Sequence, residues 1–213
     1  LKIVLKGFVK GVRKGDWLEQ DTRLSLAICI GTFPIVLAGM ALKLFWPEYQ
    51  NSIFRSIPSI AVVSIAMAFL LAIAERNGLR TKSIRAVSGM DGLLVGLGQV
   101  LALVPGVSRS GITLTTALIT GWKREDAARF SFLLGIPAIS LAGLVELKNA
   151  FNSPSLLELL PLCLGITSSA LISWLAIDWL IKFLQSNNVW VFVLYRLVFG
   201  VALLGWWVRS LSN

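Results

Sequence analysis

Histidine is absent from this chain of 213 residues, and cysteine occurs only twice, at Cys29 and Cys163. The two cysteines lie in different apolar runs and do not have the close spacing of metal ligands. A metal centre built from histidine and cysteine is therefore excluded for these residues, and we expect both cysteines to be packing residues. The first residues also lack a charged segment followed by a cleavable apolar core, so no signal peptide is visible.

Charge is scarce as well, because only 15% of the residues are charged whereas 56% are hydrophobic. The apolar residues form runs of about eighteen or more, a length that crosses a bilayer as a helix. The formal net charge is +9, but the basic residues lie in loops between apolar runs, as positive-inside sorting requires. We therefore predict an all-α polytopic membrane protein, with the membrane as its partner and no binding of nucleic acid.

Five apolar runs are long enough to be transmembrane spans: 24–45, 57–74, 130–147, 156–183 and 189–208. Residues 1–23 carry lysines along one helical stripe, which fits either an interfacial helix on an anionic leaflet or a solvated basic connector. The loop 75–88 and the loop that starts at Lys123 are both basic, so both are expected to be cytoplasmic. Residues 86–122 must then leave and return on the same side, as a re-entrant helical hairpin.

The order of the predicted elements indicates an inverted repeat. A hairpin followed by three spans reverses its orientation across the membrane, so a second copy of the unit would be inverted. Residues 86–213 would be a complete second repeat, with the hairpin at 86–122 followed by three spans. Residues 1–85 would be the remnant of a first repeat, made of a basic interfacial segment, two spans and a cytoplasmic loop.

The hairpin is interrupted at residues 103–113, which read LVPGVSRSGIT. Pro105, Gly106 and Gly111 do not continue a helix without a cost in free energy. Arg109 lies in the same break, far from any basic loop, and an arginine at membrane depth costs several kcal/mol unless it has a partner. Non-helical backbone is tolerated at that depth only against protein or a water-filled cavity. The break therefore predicts a functional tip of the hairpin.

Arginine beside hydroxyl groups and glycine amides is typical of a site for an oxyanion. The planar guanidinium of Arg109 bonds phosphate through two N–H groups, and Ser108, Ser110 and Thr113 supply hydroxyls nearby. The amides around the glycines can form an anion-binding nest at a half-helix N-terminus. The alternative is a polar turn in which Arg109 is satisfied by backbone carbonyls or by Asp91. For Asp91 we favour a helix-capping role.

The remaining carboxylates have simpler interpretations. Glu75, Glu125 and Asp126 lie in basic loops, and we expect them to be solvated. Asp178 is expected to pair with Lys182, which lies four residues further along the same helix.

Beyond these physical arguments, several segments resemble one known family. They are Gln99, the run 101–113 that contains Pro105 to Thr113, the stretch 130–132, the pair 136–137, and the segment that ends at Tyr195 and Arg196. Together they are similar to the second signature of the bacterial undecaprenyl-diphosphate phosphatases, the bacitracin-resistance proteins. The resemblance covers essentially the whole chain, and the string PGVSRSGIT is far more specific than a lone glycine motif.

The resemblance implies an integral enzyme of the bacterial plasma membrane. It would hydrolyse undecaprenyl diphosphate to undecaprenyl phosphate and inorganic phosphate, which recycles the carrier lipid for peptidoglycan synthesis and confers bacitracin resistance. A divalent cation, Mg²⁺ or Ca²⁺, is also implied, and an oligomer is possible. By position, Arg109 would bind the diphosphate, Ser108 would be a phosphate contact or nucleophile, and Thr113 would be a second contact. The substrate-binding positions would be Gly106, Ser110, Gly111 and Gln99.

One part of the family's pattern is missing from these residues. The first signature, a glutamate-rich stretch that ends in Ser-Ser-Thr-Gly-His, does not occur, so this chain holds no metal ligands of that kind. We expect the chain to be part of a longer protein, with roughly 60 to 70 further N-terminal residues if a hairpin and a span are missing. As it stands it would be inactive. The alternative function is a transporter or flippase for an anionic lipid or small anion, since broken helices in inverted repeats are transporter architecture.

Overall fold

A computed structural model describes residues 19–151 and 156–211. Within these ranges the chain is helical, apart from turns and short 3₁₀ segments. The predicted interfacial segment at residues 1–23 lies almost entirely outside the described residues. The α-helices are α1 (Gln20–Phe45), α2 (Ile57–Asn77), α3 (Gly89–Val100), α4 (Arg109–Ile119), α5 (Arg124–Phe151), α6 (Leu156–Ser186) and α7 (Trp190–Leu211).

Five of these helices, α1, α2, α5, α6 and α7, are long and apolar enough to cross a membrane. The predictions of an all-α fold and of five apolar spans are therefore confirmed, and the chain is a multi-pass membrane protein. Helices α3 and α4 have only 12 and 11 residues, which is too short for a crossing. The division into two repeats at residue 85 stays a prediction.

Glycines bring α1 and α3 into backbone contact. A Cβ atom added at Gly92 would overlap the carbonyl group of Ala27, and one added at Gly96 would overlap the carbonyl oxygen of Gly31. Because the residue numbers rise together along both helices, α1 and α3 run parallel. Lipid provides no hydrophobic driving force for two helices to associate. Close packing through small residues is therefore a main source of their association.

Helices α3 and α4 pack against each other and form a helical hairpin whose two ends meet. At this base, the Lys82 amide donates to the Gly121 carbonyl at 2.9 Å, and the Lys123 amide donates to the Lys82 carbonyl at 2.8 Å. The tip, residues 101–108, lies at the other end, where Gly106 faces the carbonyl of Ile60 in the first turn of α2. The chain therefore leaves and returns at the same end of the helix bundle.

The base is stabilised by a cap at the start of α3. The Ser88 amide donates to the Asp91 carboxylate at 2.9 Å, and the Asp91 amide donates to the Ser88 hydroxyl at 3.3 Å, which is a capping box. Lys82 also forms an ion pair with Asp91 at 2.5 Å. The capping role predicted for Asp91 is thus confirmed, and its carboxylate is directed to the base, away from Arg109.

Three predictions about polar side chains are wrong. Glu75 is buried rather than solvated, because Arg124 donates to its carboxylate at 3.0 Å and Arg80 pairs with it at 3.2 Å. Asp126 is buried as well. The cysteines, in contrast, are exposed on the helix surfaces instead of packing inside. The predicted pair of Asp178 and Lys182 is confirmed, with 2.7 Å between the charged atoms.

Candidate functional site at the hairpin tip

The tip has an unusual backbone where it turns into α4. Gly106 has φ +93° and Ser108 has φ +63°, a region that a residue with a side chain rarely occupies. Ser108 is the N-cap of α4, and its hydroxyl accepts a hydrogen bond from the Gly111 amide at 3.3 Å. Backbone strain of this kind costs of order 1–3 kcal/mol and clusters at functional sites. The first turn of α4 also presents N–H groups and a positive dipole end toward the tip.

Arg109, the first residue of α4, crosses to the neighbouring helix α5. Its Nη1 donates to the Gly135 carbonyl at 3.0 Å, and its guanidinium packs so closely on Gly135 that an added Cβ would lie 3.2 Å from Cζ. The Gly135 carbonyl therefore accepts a hydrogen bond from one of the Arg109 donors, as the interpretation of this segment as a polar turn predicts. A guanidinium has five N–H donors, and Gly135 is its one hydrogen-bond partner among the described residues.

A second arginine reaches the tip from α7. Nη2 of Arg196 donates to the carbonyls of Val107 at 2.7 Å and Gly106 at 3.2 Å. Its Nη1 atom is buried and has no hydrogen-bond partner within the described ranges. We did not predict Arg196 as a site residue, although an arginine inside the apolar run 189–208 carries the same signal that identified Arg109.

A cavity of about 190 Å³ lies between the tip and helices α2, α5, α6 and α7. Its polar lining residues lie at the start of α4 and on its neighbours: Ser108, Ser110, Gly111, Ser131 and Arg196. The other lining residues are aliphatic or aromatic: Leu71, Leu114, Ala128, Phe132, Leu180, Phe192 and Tyr195. Ser108 and Ser110 are both exposed. The cavity thus combines a guanidinium and several hydroxyls with apolar side chains.

Four predicted site residues are not among the residues that line the cavity: Arg109, Gly106, Thr113 and Gln99. Thr113 is fully buried, and its hydroxyl donates to the Arg109 carbonyl at 2.9 Å and contacts the Ser131 hydroxyl. Gln99 is also fully buried, and neither side-chain polar atom has a partner in the described part of the chain. Direct contact of Thr113 or Gln99 with a substrate stays a prediction, while their position favours support of the tip.

Acidic groups are absent from the described lining of the cavity, and no cluster of three or more metal-ligating side chains occurs in the described ranges. Asp91 is held at the base. Burial raises the pKa of the Asp91 carboxyl group, but the hydrogen bonds from Lys82 and Ser88 lower it by more than burial raises it. The pKa of Asp91 therefore lies below its usual value. The cavity therefore carries positive charge without a carboxylate to neutralise it, which suits an anionic ligand.

Comparison with known proteins agrees with this geometry. An undecaprenyl-diphosphatase of Synechococcus sp. (strain WH7803) is 62% identical over 213 residues, which is 100% of this chain and 74% of that protein. Undecaprenyl-diphosphatases of Prochlorococcus marinus, strains MIT 9303 and MIT 9313, are each 63% identical over 210 residues, or 99% of this chain and 72% and 70% of theirs. The family model of the bacitracin resistance protein BacA matches residues 1–202. The chain therefore belongs to the bacitracin resistance protein BacA family.

Proposed function

We propose that this protein is an undecaprenyl-diphosphate phosphatase, which hydrolyses undecaprenyl diphosphate to undecaprenyl phosphate and inorganic phosphate. The observation that carries this proposal is the cavity that holds Arg196 and the Ser108 hydroxyl at the N-terminus of α4. The name shared by the relatives supports the same activity. The reaction would return the carrier lipid to peptidoglycan synthesis and so confer resistance to bacitracin.

The residues of the tip supply positioning and charge, which dominate catalysis of phosphoryl transfer. Arg196 already bonds two tip carbonyls through Nη2, and its buried Nη1, which has no partner within the described ranges, would reach a phosphate oxygen after a turn of the guanidinium. Arg109 would add a second guanidinium by turning from Gly135 toward the ligand. The hydroxyls of Ser108 and Ser110, together with the first amides of α4, would bind the remaining phosphate oxygens.

The described residues do not fit the divalent cation that the family implies. They contain no cluster of three or more carboxylate, cysteine or histidine side chains, and Glu75 and Asp91 are engaged in ion pairs away from the tip. Mg²⁺ or Ca²⁺ prefers several oxygen ligands, and the side-chain oxygens of the described lining are only the hydroxyls of Ser108, Ser110, Ser131 and Tyr195.

In the membrane, the hairpin would be re-entrant, with its base at the cytoplasmic side and its tip within the bilayer. The meeting of its two ends at Lys82 and Trp122 and the basic loops on either side support this orientation. The bundle would be a complete second repeat and the remnant of an inverted first repeat in the bacterial plasma membrane.

The decisive experiment replaces Arg109 by lysine in the protein expressed from its native reading frame. A lysine keeps the charge but loses the planar fork, and the loss of one such transition-state contact costs about 3 to 4 kcal/mol, a hundredfold or more in rate. The measurement is phosphate release from undecaprenyl diphosphate by purified, folded protein in detergent. A wild-type rate for the Arg109→Lys variant would remove this hairpin from the phosphatase reaction and favour transport of an anionic lipid.

A further inference from the structure

Helix α5 contributes one polar side chain to the described lining of the cavity, that of Ser131. Ser131 is only 5% exposed, yet it lines the same cavity as Ser108 and Ser110. Its partners hold a buried hydroxyl in one position, so contact with a bound group costs little side-chain entropy. We did not predict Ser131 as a site residue, because a single serine in a helix commonly bonds its own backbone.

The Ser131 hydroxyl is paired with a hydroxyl of α4. Its Oγ contacts Oγ1 of Thr113 and lies 3.4 Å from the Ser110 carbonyl oxygen. Oγ1 of Thr113 also lies 2.9 Å from the Arg109 carbonyl oxygen. Thr113 is fully buried and does not line the cavity. The pair therefore has an inner hydroxyl, on Thr113, and an outer hydroxyl, on Ser131.

The two hydroxyls can be arranged in two ways, since each has one hydrogen to donate. In one arrangement Thr113 donates to the Arg109 carbonyl, and Ser131 donates to Thr113. In the other, Thr113 donates to Ser131, and the Ser131 hydrogen is available to an acceptor in the cavity. The change needs only the rotation of two O–H bonds, so a phosphate oxygen in the cavity would select the second arrangement. A chain of hydrogen bonds of this kind is strengthened cooperatively.

We propose that Ser131 is the hydroxyl of α5 that donates to a phosphate oxygen of the substrate, and that Thr113 acts through Ser131 as a positioning residue. The inference rests on the proposed function, which it deepens by changing a role expected from the sequence. Thr113, which we predicted as a phosphate contact, supports that contact from behind. Ser131 also brings α5 into a site whose other proposed phosphate contacts come from α4 and α7.

The test is a double-mutant cycle in the protein expressed from its native reading frame. The readouts are kcat and KM for phosphate release from undecaprenyl diphosphate, and affinity for inorganic diphosphate by isothermal titration in detergent. Ser131→Ala removes a hydrogen bond to a charged group, so it should lower kcat/KM and weaken binding of inorganic diphosphate by about tenfold or more. Thr113→Val should give a smaller loss of the same kind. In the Ser131→Ala background Thr113→Val should give no further loss, because its partner is gone.

Two controls distinguish this pair from the ordinary loss of a hydroxyl. Thr115 is another buried threonine of α4, and its hydroxyl donates to the Gly111 carbonyl at 2.7 Å without a second hydroxyl partner in the described part of the chain. Thr115→Val should therefore leave both readouts unchanged. Ser140→Ala, at an exposed position of α5, is the matched control for Ser131→Ala and should also have no effect.

A wild-type kcat/KM for Ser131→Ala would overturn the contact, and additive losses for Ser131→Ala and Thr113→Val would contradict the positioning role. A lower melting temperature with an unchanged affinity for diphosphate would show instead that the pair only joins α4 to α5. Ser131→Cys keeps the size of the side chain with a weak donor, and it replaces Ser131→Ala if the alanine variant does not fold. A wild-type protein that binds diphosphate through Ser131 but releases no phosphate from undecaprenyl diphosphate would remove the proposed function and leave the anion contact in place.

Discussion

Two arginines reach the hairpin tip with different surroundings. Arg109 follows the strained Ser108 in the chain and leans on Gly135, whereas Arg196 enters from α7 and bonds the carbonyls of Gly106 and Val107. The first arginine can move toward a ligand by giving up one hydrogen bond. The second holds the tip and faces the cavity at once, so it links the shape of the backbone to the charge of the site.

Besides capping α4, the Ser108 hydroxyl has one of two roles in the reaction that we propose, and substitution separates them. Ser108→Ala should reduce phosphate release only partially if the hydroxyl binds a phosphate oxygen, whereas loss of a nucleophile would be near total. We expect a partial loss, because the arginines and the amides of α4 remain in place. Ser110→Ala is the matched control, since Ser110 lines the same cavity but is not the N-cap. Activity at the detection limit for Ser108→Ala alone would identify Ser108 as the nucleophile.

At the scale of elements, the contact of α1 with α3 positions the hairpin. Gly31→Ala on α1 would place a Cβ 2.5 Å from the Gly92 carbonyl oxygen and 2.8 Å from a methyl group of Leu134. Overpacking of this kind costs about 1–3 kcal/mol, so we expect a lower melting temperature in detergent. Gly39→Ala on the same helix meets nothing within 4 Å, and it should be neutral or slightly stabilising. Equal melting temperatures for the two variants would contradict the close contact.

The cap at the start of α3 predicts a dependence of stability on pH. The folded-state pKa of Asp91 is lowered, so its carboxylate stabilises the fold at pH values above its unfolded pKa of about 3.9. That contribution is lost as the pH falls through the folded-state pKa. Asp91→Asn should therefore melt earlier than wild type at neutral pH, by an amount that shrinks in acid. A melting difference that is constant from neutral to acid pH would show that the charge of Asp91 is not responsible.

Much at this scale could be predicted from the sequence, because length and hydropathy determine which segments span a bilayer. The helical hairpin of α3 and α4 could be predicted from the loop charges and from Pro105 and Gly106, whereas its re-entrant course in a membrane stays a prediction. The burial of Glu75 could not be predicted, since its partner Arg124 lies 49 residues away and only packing brings them together. Arg196 was missed for a related reason: its position in an apolar run was visible, but its contact with the tip depends on how α7 packs against α2.

At the scale of the whole molecule, basic residues mark one end of the bundle. This end is the base of the hairpin, with Lys82, Lys123 and Arg124. Helix α7 runs from the base toward the opposite end, where the tip lies. A cysteine at Arg85 should therefore be protected from an impermeant reagent added outside the cell, and one at Ser210 should be labelled. The background needs Cys29 and Cys163 replaced by alanine, because both are exposed. The reverse labelling pattern would invert the orientation.

The two backbone bonds that join Lys82 to Gly121 and Lys123 also set how the molecule responds to mechanical load. A force applied along the chain from the α5 side meets this closed loop before it reaches the contacts of α4 with α2. Because these hydrogen bonds connect Lys82 directly to Lys123, they would carry the tension between the two residues. Residues 83–120, which include Ser108 and Arg109, would bear no load until the bonds break. After these bonds break, the contacts of Gly92 and Gly96 with α1 still hold the hairpin, so we expect its extension to be a second, separate event.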